Sequence, residues 1–205
     1  MKKSSQVIIA AVAVIALIFV SFKSKESKVI NVVIDAGHGG KDFGASAESL
    51  LEKEITAAFA AKIKSLNVNK NVVIHFTRST DEFVELTDRA DHINKIKPDV
   101  MISLHVAASK NKHDSGVGIF LYNESPVYEK SVKLANRLGE KLAVNNKLKI
   151  NEVKNAPLMI LKKSEVPALM VELGYLTNEN DRAYLTNDVE QDRIAQTILE
   201  LINEL

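Results

Sequence analysis

The 205-residue chain has no cysteine, few glycines and prolines, and no large excess of either charge. The absence of cysteine excludes a disulfide scaffold and lipid attachment through a cysteine. Eight glycines and four prolines are too few for a collagen-like chain, and 46% hydrophobic residues are too many for a disordered one. The composition therefore predicts a folded protein with a hydrophobic core of its own.

Charge is distributed unevenly along the chain, although Lys and Arg total 27 against 26 Asp and Glu. The first 28 residues carry +4 and the remainder −3, which together give the formal net charge of +1. A mildly acidic folded part offers no basic face for phosphates. Nucleic acid is therefore not expected as a partner.

The N-terminal 28 residues have the pattern of a targeting segment. Lys2 and Lys3 precede residues 7–22, which contain no charge, glycine or proline. As a helix this segment would be about 24 Å long, slightly less than the roughly 30 Å of bilayer hydrocarbon. It fits a cleaved signal or a short membrane anchor, and the lack of an A-x-A-like site after Val20 favours the uncleaved anchor. We expect residues 1–28 to be leader and linker, and 29–205 to be one extracytoplasmic domain.

Apolar runs with strand character alternate with helical periodicity through the rest of the chain. Strands are predicted at 29–34, 72–76, 100–104, 118–122, 158–161 and 168–171. Helices are predicted at 51–66, 83–96, 127–144 and 189–205, where apolar residues recur every three or four positions. This alternation predicts an α/β fold with a mostly parallel sheet flanked by helices.

Two histidines and a glutamate lie at the ends of three predicted strands. His38 follows the first strand among glycines, His105 ends the third, and Glu172 ends the sixth. Carboxyl ends of parallel strands meet at one edge of a sheet, where ligands bind in folds of this kind. We therefore expect these three side chains to lie near one another. The other histidines are expected to be structural, because they lie inside a predicted strand, inside a predicted helix and in a polar loop: His75, His92 and His113.

Two histidines, one carboxylate and an open fourth position form the ligand set of a catalytic zinc ion. The third ligand must then come from an acidic residue near His38 and His105. Six acidic residues are candidates by position: Asp35, Asp42, Glu48, Glu52, Glu54 and Glu172. Glu52 opens a predicted helix, where a carboxylate also stabilises the helix dipole. The pattern by itself leaves the choice open.

Five motifs occur in order between residues 30 and 205. They are VVIDAGHGGKDFGA at 32–45, the pair Glu52-Lys53, Phe76-Thr77-Arg78 followed by Asp81 and Arg89, Ser103-Leu104-His105, and PALMVELGYLTN at 167–178. Together they resemble the zinc-dependent N-acetylmuramoyl-L-alanine amidases of bacterial cell walls. The resemblance implies a phosphorylase/hydrolase-like α/β fold and one zinc ion per chain, bound by His38, Glu52 and His105.

The resemblance also implies that peptidoglycan is the substrate and that residues 29–205 form the catalytic domain. The bond cleaved is then the amide between N-acetylmuramic acid and the L-alanine of the stem peptide. Glu172 is implied as the catalytic acid/base, and its apolar neighbours Val171 and Leu173 would raise its pKa to suit proton transfer. The alternatives are another zinc amidohydrolase or peptidase of the cell wall, or a non-catalytic wall-binding protein.

Some positions depart from the family pattern. A polar residue usual beside the metal is replaced by Ala107, and Asn151-Glu152 stand where Arg-Gly is usual, so contacts with substrate are expected to differ. Arg78 and Arg89 either bind substrate carboxylates or brace loops by pairing with Asp81 and Asp88, and bracing is favoured.

Residues 145–157 bear on control of the site. Some relatives carry a helix in this region that covers the zinc until a partner removes it. Here Leu148 and Ile150 are two apart, which is a strand-like spacing. We expect an open site, and an activator protein is possible but not expected. If the leader is not cleaved, the membrane is a further partner through residues 7–22.

The leader can be tested with a reporter enzyme that is active only outside the cytoplasm. Fused after residue 28, the reporter should be active, because the positive end of the leader stays inside while the following chain is exported. A matched fusion lacking residues 7–22 should be inactive. Equal reporter activity with and without residues 7–22 would contradict an export function.

Overall fold

The computed structural model describes residues 28–205, so the leader prediction lies outside the described residues except for Lys28. This part has eight strands: β1 Ile30–Ala36, β2 Ser46–Ala47, β3 Leu50–Leu51, β4 Val72–Phe76, β5 Val100–Ala107, β6 Gly118–Leu121, β7 Lys154–Asn155 and β8 Ala168–Tyr175. It has six helices: α1 Glu52–Leu66, α2 Leu86–Ile96, α3 Tyr128–Asn145, α4 Met159–Lys163, α5 Glu179–Leu185 and α6 Asp188–Asn203. Within residues 28–205, no helix has the length and apolar character needed to cross a membrane.

Six strands form one sheet in the order β4-β1-β5-β8-β6-β7. Strands β4, β1, β5 and β8 are parallel, β6 is antiparallel to β8, and β7 is parallel to β6. The prediction of a mostly parallel sheet flanked by helices is confirmed. Strands β2 and β3 form a separate antiparallel pair. The order places β1, β5 and β8 side by side, so their carboxyl ends meet at the centre of one edge.

Helices cover the two faces of this sheet unequally. Helices α1, α3 and α6 pack on one face over a large core that includes Phe59, Leu138 and Ile198. The opposite face carries a smaller core, which includes Val33 and Met101, and is covered by α2 and the five-residue α4. We call this second side the thin face. Its upper part, toward the carboxyl ends of the strands, has room for a cleft.

Strand register places a series of polar side chains on the thin face. Val33 and Met101 are partners on β1 and β5, and both belong to the smaller core. Residues two apart on a strand share a face. Continuing in steps of two toward the carboxyl ends of β1, β5 and β8 gives Asp35, Ser103, His105, Met170 and Glu172. The thin face is therefore apolar at its base and polar at the edge where the strands end.

The most consequential difference from prediction concerns residues 158–161, which were predicted as a strand and lie mostly in α4. That prediction was wrong because a four-residue apolar run has no period that separates a strand from a helix. Ile160 and Leu161 pack into the smaller core, and Lys162 and Lys163 lie in the last turn. The run therefore forms one helical turn on the thin face instead of a sheet strand.

The remaining differences are at element ends and in short elements. Strands β5 and β8 continue beyond their predicted ends, so His105 and Glu172 lie within strands. Helix α2 begins at Leu86, and Phe83 lies exposed in the preceding loop. The pair β2–β3, strand β7 and helix α5 were not predicted, because elements of two to seven residues show too little periodicity.

Candidate metal centre

Three side chains from separate elements converge at the edge of the sheet. His38 lies in the loop after β1, Glu52 is the first residue of α1, and His105 lies on β5. One ligand atom from each lies within 4.8 Å of the other two. Among residues 28–205, His38, Glu52 and His105 are the side chains that lie close enough together to hold one metal ion. Two imidazole nitrogens and one carboxylate oxygen are donors that zinc accepts.

The carboxylate of Glu52 lies between the two imidazoles. Its Oε1 is 2.8 Å from Nδ1 of His105, and its Oε2 is 3.1 Å from Nε2 of His38. The backbone amides of Val106 and Ala45 donate to the same carboxylate at 2.9 and 2.7 Å. Burial raises the pKa of Glu52, but these hydrogen bonds and the imidazoles outweigh burial and hold the pKa well below its usual range. Glu52 is therefore an ionised, buried carboxylate.

His38 is held from its other ring nitrogen by Asp42. Nδ1 of His38 is 2.8 Å from Oδ2 of Asp42, which leaves Nε2 directed at Glu52. The ring planes of His38 and His105 cross at 83° with centroids 5.0 Å apart. A carboxylate on the second nitrogen is the usual outer support of a metal-binding histidine. Asp42, a candidate ligand from its position, instead supports a candidate ligand.

Two glycines give these side chains the space they occupy. A Cβ on Gly37 would lie 2.5 Å from Cε1 of His105, so the imidazole rests directly against the backbone. A Cβ on Gly44 would lie 2.5 Å from both Oε2 of Glu52 and Cδ2 of His38, and Gly44 has φ of +68°. Any larger residue at Gly37 or Gly44 must displace a ring or the carboxylate.

The loop that carries His38 is fixed by two buried arginines. The guanidinium of Arg78 donates to the carbonyls of Ala36 and Gly37 at 3.0 and 3.1 Å. The guanidinium of Arg89 donates to the carbonyls of Ala36 and His38 at 2.7 and 2.5 Å. Both arginines therefore brace the loop, as the sequence favoured.

The partners of these arginines differ from the predicted ones. Arg89 pairs with Asp35 at 2.8 Å rather than with Asp88. Arg78 uses main-chain carbonyls, while Asp81 pairs with Lys53 at 2.7 Å. These pairings join residues far apart in the chain, which sequence spacing does not indicate.

Asp35 is a buried structural carboxylate. It accepts hydrogen bonds from Thr77 Oγ1 and Ser103 Oγ, both at 2.6 Å, in addition to the ion pair with Arg89. Burial raises the pKa of Asp35, but Arg89 and the two hydroxyls together lower it by more than burial raises it. The pKa of Asp35 therefore lies below its ordinary value. Both oxygens of Asp35 therefore already have partners other than the two histidines.

The other candidate residues lie elsewhere. Glu48 pairs with Arg182 at 3.2 Å, and Glu54 lies exposed on α1. Two of the histidines set aside in the sequence are exposed and the third bonds to an asparagine side chain: His92, His113 and His75, whose Nε2 lies 3.1 Å from Oδ1 of Asn31.

Glu172 lies beside the three converging side chains. It is opposite His105 on the neighbouring strand β8 and opposite Gly118 on β6. Within residues 28–205 no hydrogen bond satisfies its carboxylate, and it is half-buried. Burial raises the pKa of Glu172, and the negative charge of Glu52 adds to the rise, while His105 and Lys154 oppose it. The expected upward shift is present.

A cleft of about 370 Å³ opens on the thin face beside His38 and His105. Its walls are mainly apolar and include Phe83, Leu86 and Met159, each partly exposed. These residues had no assigned role in the sequence, because an exposed apolar side chain is not distinctive until its neighbours are known. A larger cavity of about 520 Å³, between α1 and β4, contains neither histidine.

Comparison with known protein families and curated proteins finds matches over most of this chain. Residues 32–204 match the family described as N-acetylmuramoyl-L-alanine amidase. The N-acetylmuramoyl-L-alanine amidase LytC of Bacillus subtilis is 31% identical over 168 residues, which cover 82% of this chain and 34% of LytC. The curated relatives are longer proteins, of which this chain spans between 34% and 65% in the first four matches.

Solved structures agree with the sequence matches. The catalytic domain of the amidase CwlV from Bacillus (Paenibacillus) polymyxa var. colistinus has a TM-score of 0.79 and 31% identity, covering 85% of this chain and 97% of that domain. The amidase CwlD of Clostridioides difficile, solved in complex with the GerS lipoprotein, has a TM-score of 0.78 and 26% identity, covering 85% and 97%.

Replacing Asp35 tests the buried network under the His38 loop. Asp35→Asn leaves the Arg89 charge without its partner, so we expect the free energy of unfolding at pH 7 to fall by roughly 3 kcal/mol. Because the folded-state pKa of Asp35 is lowered, its contribution is complete above the unfolded-state value and declines as the pH falls below about 4. Urea unfolding at pH 7 and pH 3.5 measures both effects.

The matched control is Asp188→Asn, which removes an aspartate that is 85% exposed and pairs with Lys62 on the surface. This variant should unfold close to wild type at both pH values. A deficit of Asp35→Asn that stays constant between the two pH values would show that ionised Asp35 does not stabilise the loop.

Proposed function

We propose that this chain, which belongs to the N-acetylmuramoyl-L-alanine amidase family, hydrolyses the amide bond between N-acetylmuramic acid and L-alanine in peptidoglycan. The observation that carries the proposal is the convergence of His38, Glu52 and His105 beside the carboxyl of Glu172, which makes no hydrogen bond within residues 28–205. The family match and the structural likeness to amidase catalytic domains support the same activity.

The three converging residues would hold one zinc ion per chain. Glu52 is ionised, His38 is supported by Asp42 on its other nitrogen, and Gly37 lets His105 approach closely, so the donor set fits zinc. Zinc bound there would supply a Lewis acid that polarises the amide carbonyl and makes water more acidic. The remaining tasks of positioning and proton transfer fall to the protein.

Glu172 is suited to carry the proton. It is half-buried, accepts no hydrogen bond within the described residues, and has a pKa raised by burial. In the proposed reaction Glu172 takes a proton from the water that attacks the carbonyl carbon. It then gives a proton to the amide nitrogen as the C–N bond breaks, so the peptide leaves as an amine. A carboxyl with a raised pKa does both more readily than one held ionised.

Substrate contacts are not expected from the two buried arginines. The guanidiniums of Arg78 and Arg89 are occupied by carbonyls of the His38 loop and by Asp35. The partly exposed apolar wall of the cleft, which includes Phe83, Leu86 and Met159, is a more accessible surface for the substrate. Ala107 pairs with Tyr175 across β5 and β8 and brings no polar group to the site.

The protein would act outside the cytoplasm, tethered or released by residues 1–28, since its proposed substrate lies there. We also propose that it acts without an activator. Within residues 146–157 the structure has the short strand β7 and no helix, so this segment supplies no covering helix. The complex of CwlD with a lipoprotein shows that a relative has a protein partner, which makes the purified chain the proper material for the test.

The activity is tested by incubating purified sacculi with the purified chain and zinc, and by labelling newly formed N-termini. New N-terminal L-alanine, with no added protein, is the expected product. New N-termini from other residues would instead indicate a wall peptidase. Binding to sacculi with no new N-termini would indicate a wall-binding protein, and activity that appears only with a cell extract would contradict activator independence.

Zinc content separates the proposed ligands from another histidine. Wild type and His75→Ala should each retain one zinc per chain after gel filtration, because His75 bonds to Asn31 away from the centre. His105→Ala should lose most of the metal, and Gly37→Ala should weaken binding by displacing the His105 ring. Elemental analysis gives the stoichiometry. Full zinc in both His38→Ala and His105→Ala would refute the ligand assignment.

The acid/base role predicts a separation of turnover from metal binding. Glu172→Gln preserves side-chain shape but cannot carry a proton, so turnover should fall about 10²-fold or more while zinc and fold are retained. Glu165→Gln, at an exposed position, is the control and should hydrolyse wall at the wild-type rate. Unchanged turnover in Glu172→Gln would exclude the proposed role.

A further inference from the structure

Lys154 lies on the same face of the sheet as the candidate site. It is the first residue of β7 and is the register partner of Phe120 on β6. Phe120 is in turn opposite Met170 on β8, two residues before Glu172. Partners across strands and residues two apart share a face. Lys154, Phe120 and Glu172 therefore lie on the thin face, with Lys154 toward the sheet edge.

Gly118, on the strand β6 that separates Lys154 on β7 from Glu172 on β8, has no side chain on this face. This glycine is opposite Glu172, and a Cβ there would lie 3.1 Å from Cε2 of Phe120 and 3.3 Å from Oε2 of Glu172. The aromatic ring and the carboxyl thus lie together around a position with no side chain. Lys154 lies on the strand beyond Phe120 on this face, two strands from Glu172.

Lys154 has no protein partner among the described residues, unlike Lys53, Arg78 and Arg89. Within residues 28–205 its side chain makes no ion pair and no hydrogen bond, and the residue is exposed. By contrast, Lys53 bonds to Asp81 and to the carbonyl of Gly40, and the two buried arginines are occupied by the His38 loop. An exposed ammonium without a protein partner is available to a ligand.

The chemistry of the proposed reaction indicates which part of the substrate passes Lys154. Glu172 gives its proton to the leaving nitrogen, so the leaving peptide must be on the Glu172 side of the centre. His38 and Glu52 lie on the opposite side, toward β1 and α1. Moving from His105 past Glu172, the sheet continues through β6 to β7 and Lys154. The peptide portion, rather than the sugar, therefore extends toward Lys154.

We infer that Lys154 is a specificity-determining residue that pairs with a carboxylate on the peptide side of the substrate. The inference rests on the proposed hydrolysis, because it uses the direction in which the peptide leaves. It predicts a preference for wall peptides whose carboxylates near the cleaved bond are free over peptides in which they are amides. Lys154 acts by positioning the peptide and takes no part in proton transfer.

The test uses short glycan–peptide fragments from one wall preparation, with their carboxylates either left free or chemically converted to amides. Binding is measured with the full chain in detergent, carrying Glu172→Gln so that turnover does not interfere. Lys154→Gln, Lys154→Arg and the control Lys149→Gln are compared in that background. Lys149 is an exposed lysine before β7, so its replacement removes the same charge from the protein.

On acidic fragments, Lys154→Gln should weaken binding about tenfold, as expected for loss of a charge-assisted pair, while Lys154→Arg and Lys149→Gln stay within about threefold. On amidated fragments, Lys154→Gln should bind like its parent, because the partner charge is already absent. With Glu172 restored, the loss on acidic fragments should appear in KM with kcat nearly unchanged.

Equal binding of acidic fragments by Lys154→Gln and its parent would overturn the inference. So would a loss of the same size on acidic and amidated fragments, or a fall in kcat at constant KM. Failure of the proposed function is distinguished by the wild-type chain, which would then release no new N-terminal L-alanine from either fragment set.

Discussion

The candidate centre depends on hydrogen bonds from two buried guanidiniums to three consecutive carbonyls where β1 ends and the His38 loop begins. Ala36 ends β1, Gly37 and His38 follow it, and His38 has a φ of +60°, which is unfavourable for a residue with a side chain. The guanidiniums of Arg78 and Arg89 donate hydrogen bonds to the carbonyls of these three residues. Hydrogen bonds to charged groups each contribute about 1.5–3 kcal/mol, which is of the same order as the backbone strain. The loop is therefore kept in the conformation that directs Nε2 of His38 at Glu52.

Two carboxylates a short distance apart are prepared for opposite tasks by their surroundings. Glu52 accepts two backbone amides and faces two imidazoles, so it remains ionised despite burial. Glu172 has no such donors among the described residues and lies beside the ring of Phe120, so burial dominates and its pKa rises. Groups with environments that move their pKa values apart can divide the work of ligand and proton carrier. The same residue type thus serves two proposed roles.

Unequal covering of the sheet explains where this chemistry can occur. Three long helices bury one face, whereas the thin face has α2 and the single turn of α4. Because α4 covers only the apolar base, the polar upper part of the face remains open to a cleft of about 370 Å³. The antiparallel strand β6 and the short β7 extend this face past Glu172, which is what places Lys154 within reach of the proposed substrate.

The sequence by itself determined the alternation of strands and helices and the placement of His38, His105 and Glu172 at or near the ends of three apolar strands, because these features follow from local periodicity. It did not decide among six acidic residues, and the choice of Glu52 came from resemblance. Only the tertiary structure brought Glu52 between the imidazoles, paired Asp35 with Arg89 and Asp42 with His38, and left Glu172 without a donor among the described residues. The short apolar run at residues 158–161 was wrongly predicted as a strand, and only the structure showed that it lies mostly in the helix α4. The reason is physical: a carboxylate's partners and pKa depend on which distant strands and helices pack against it, and neither is encoded in the spacing of nearby residues.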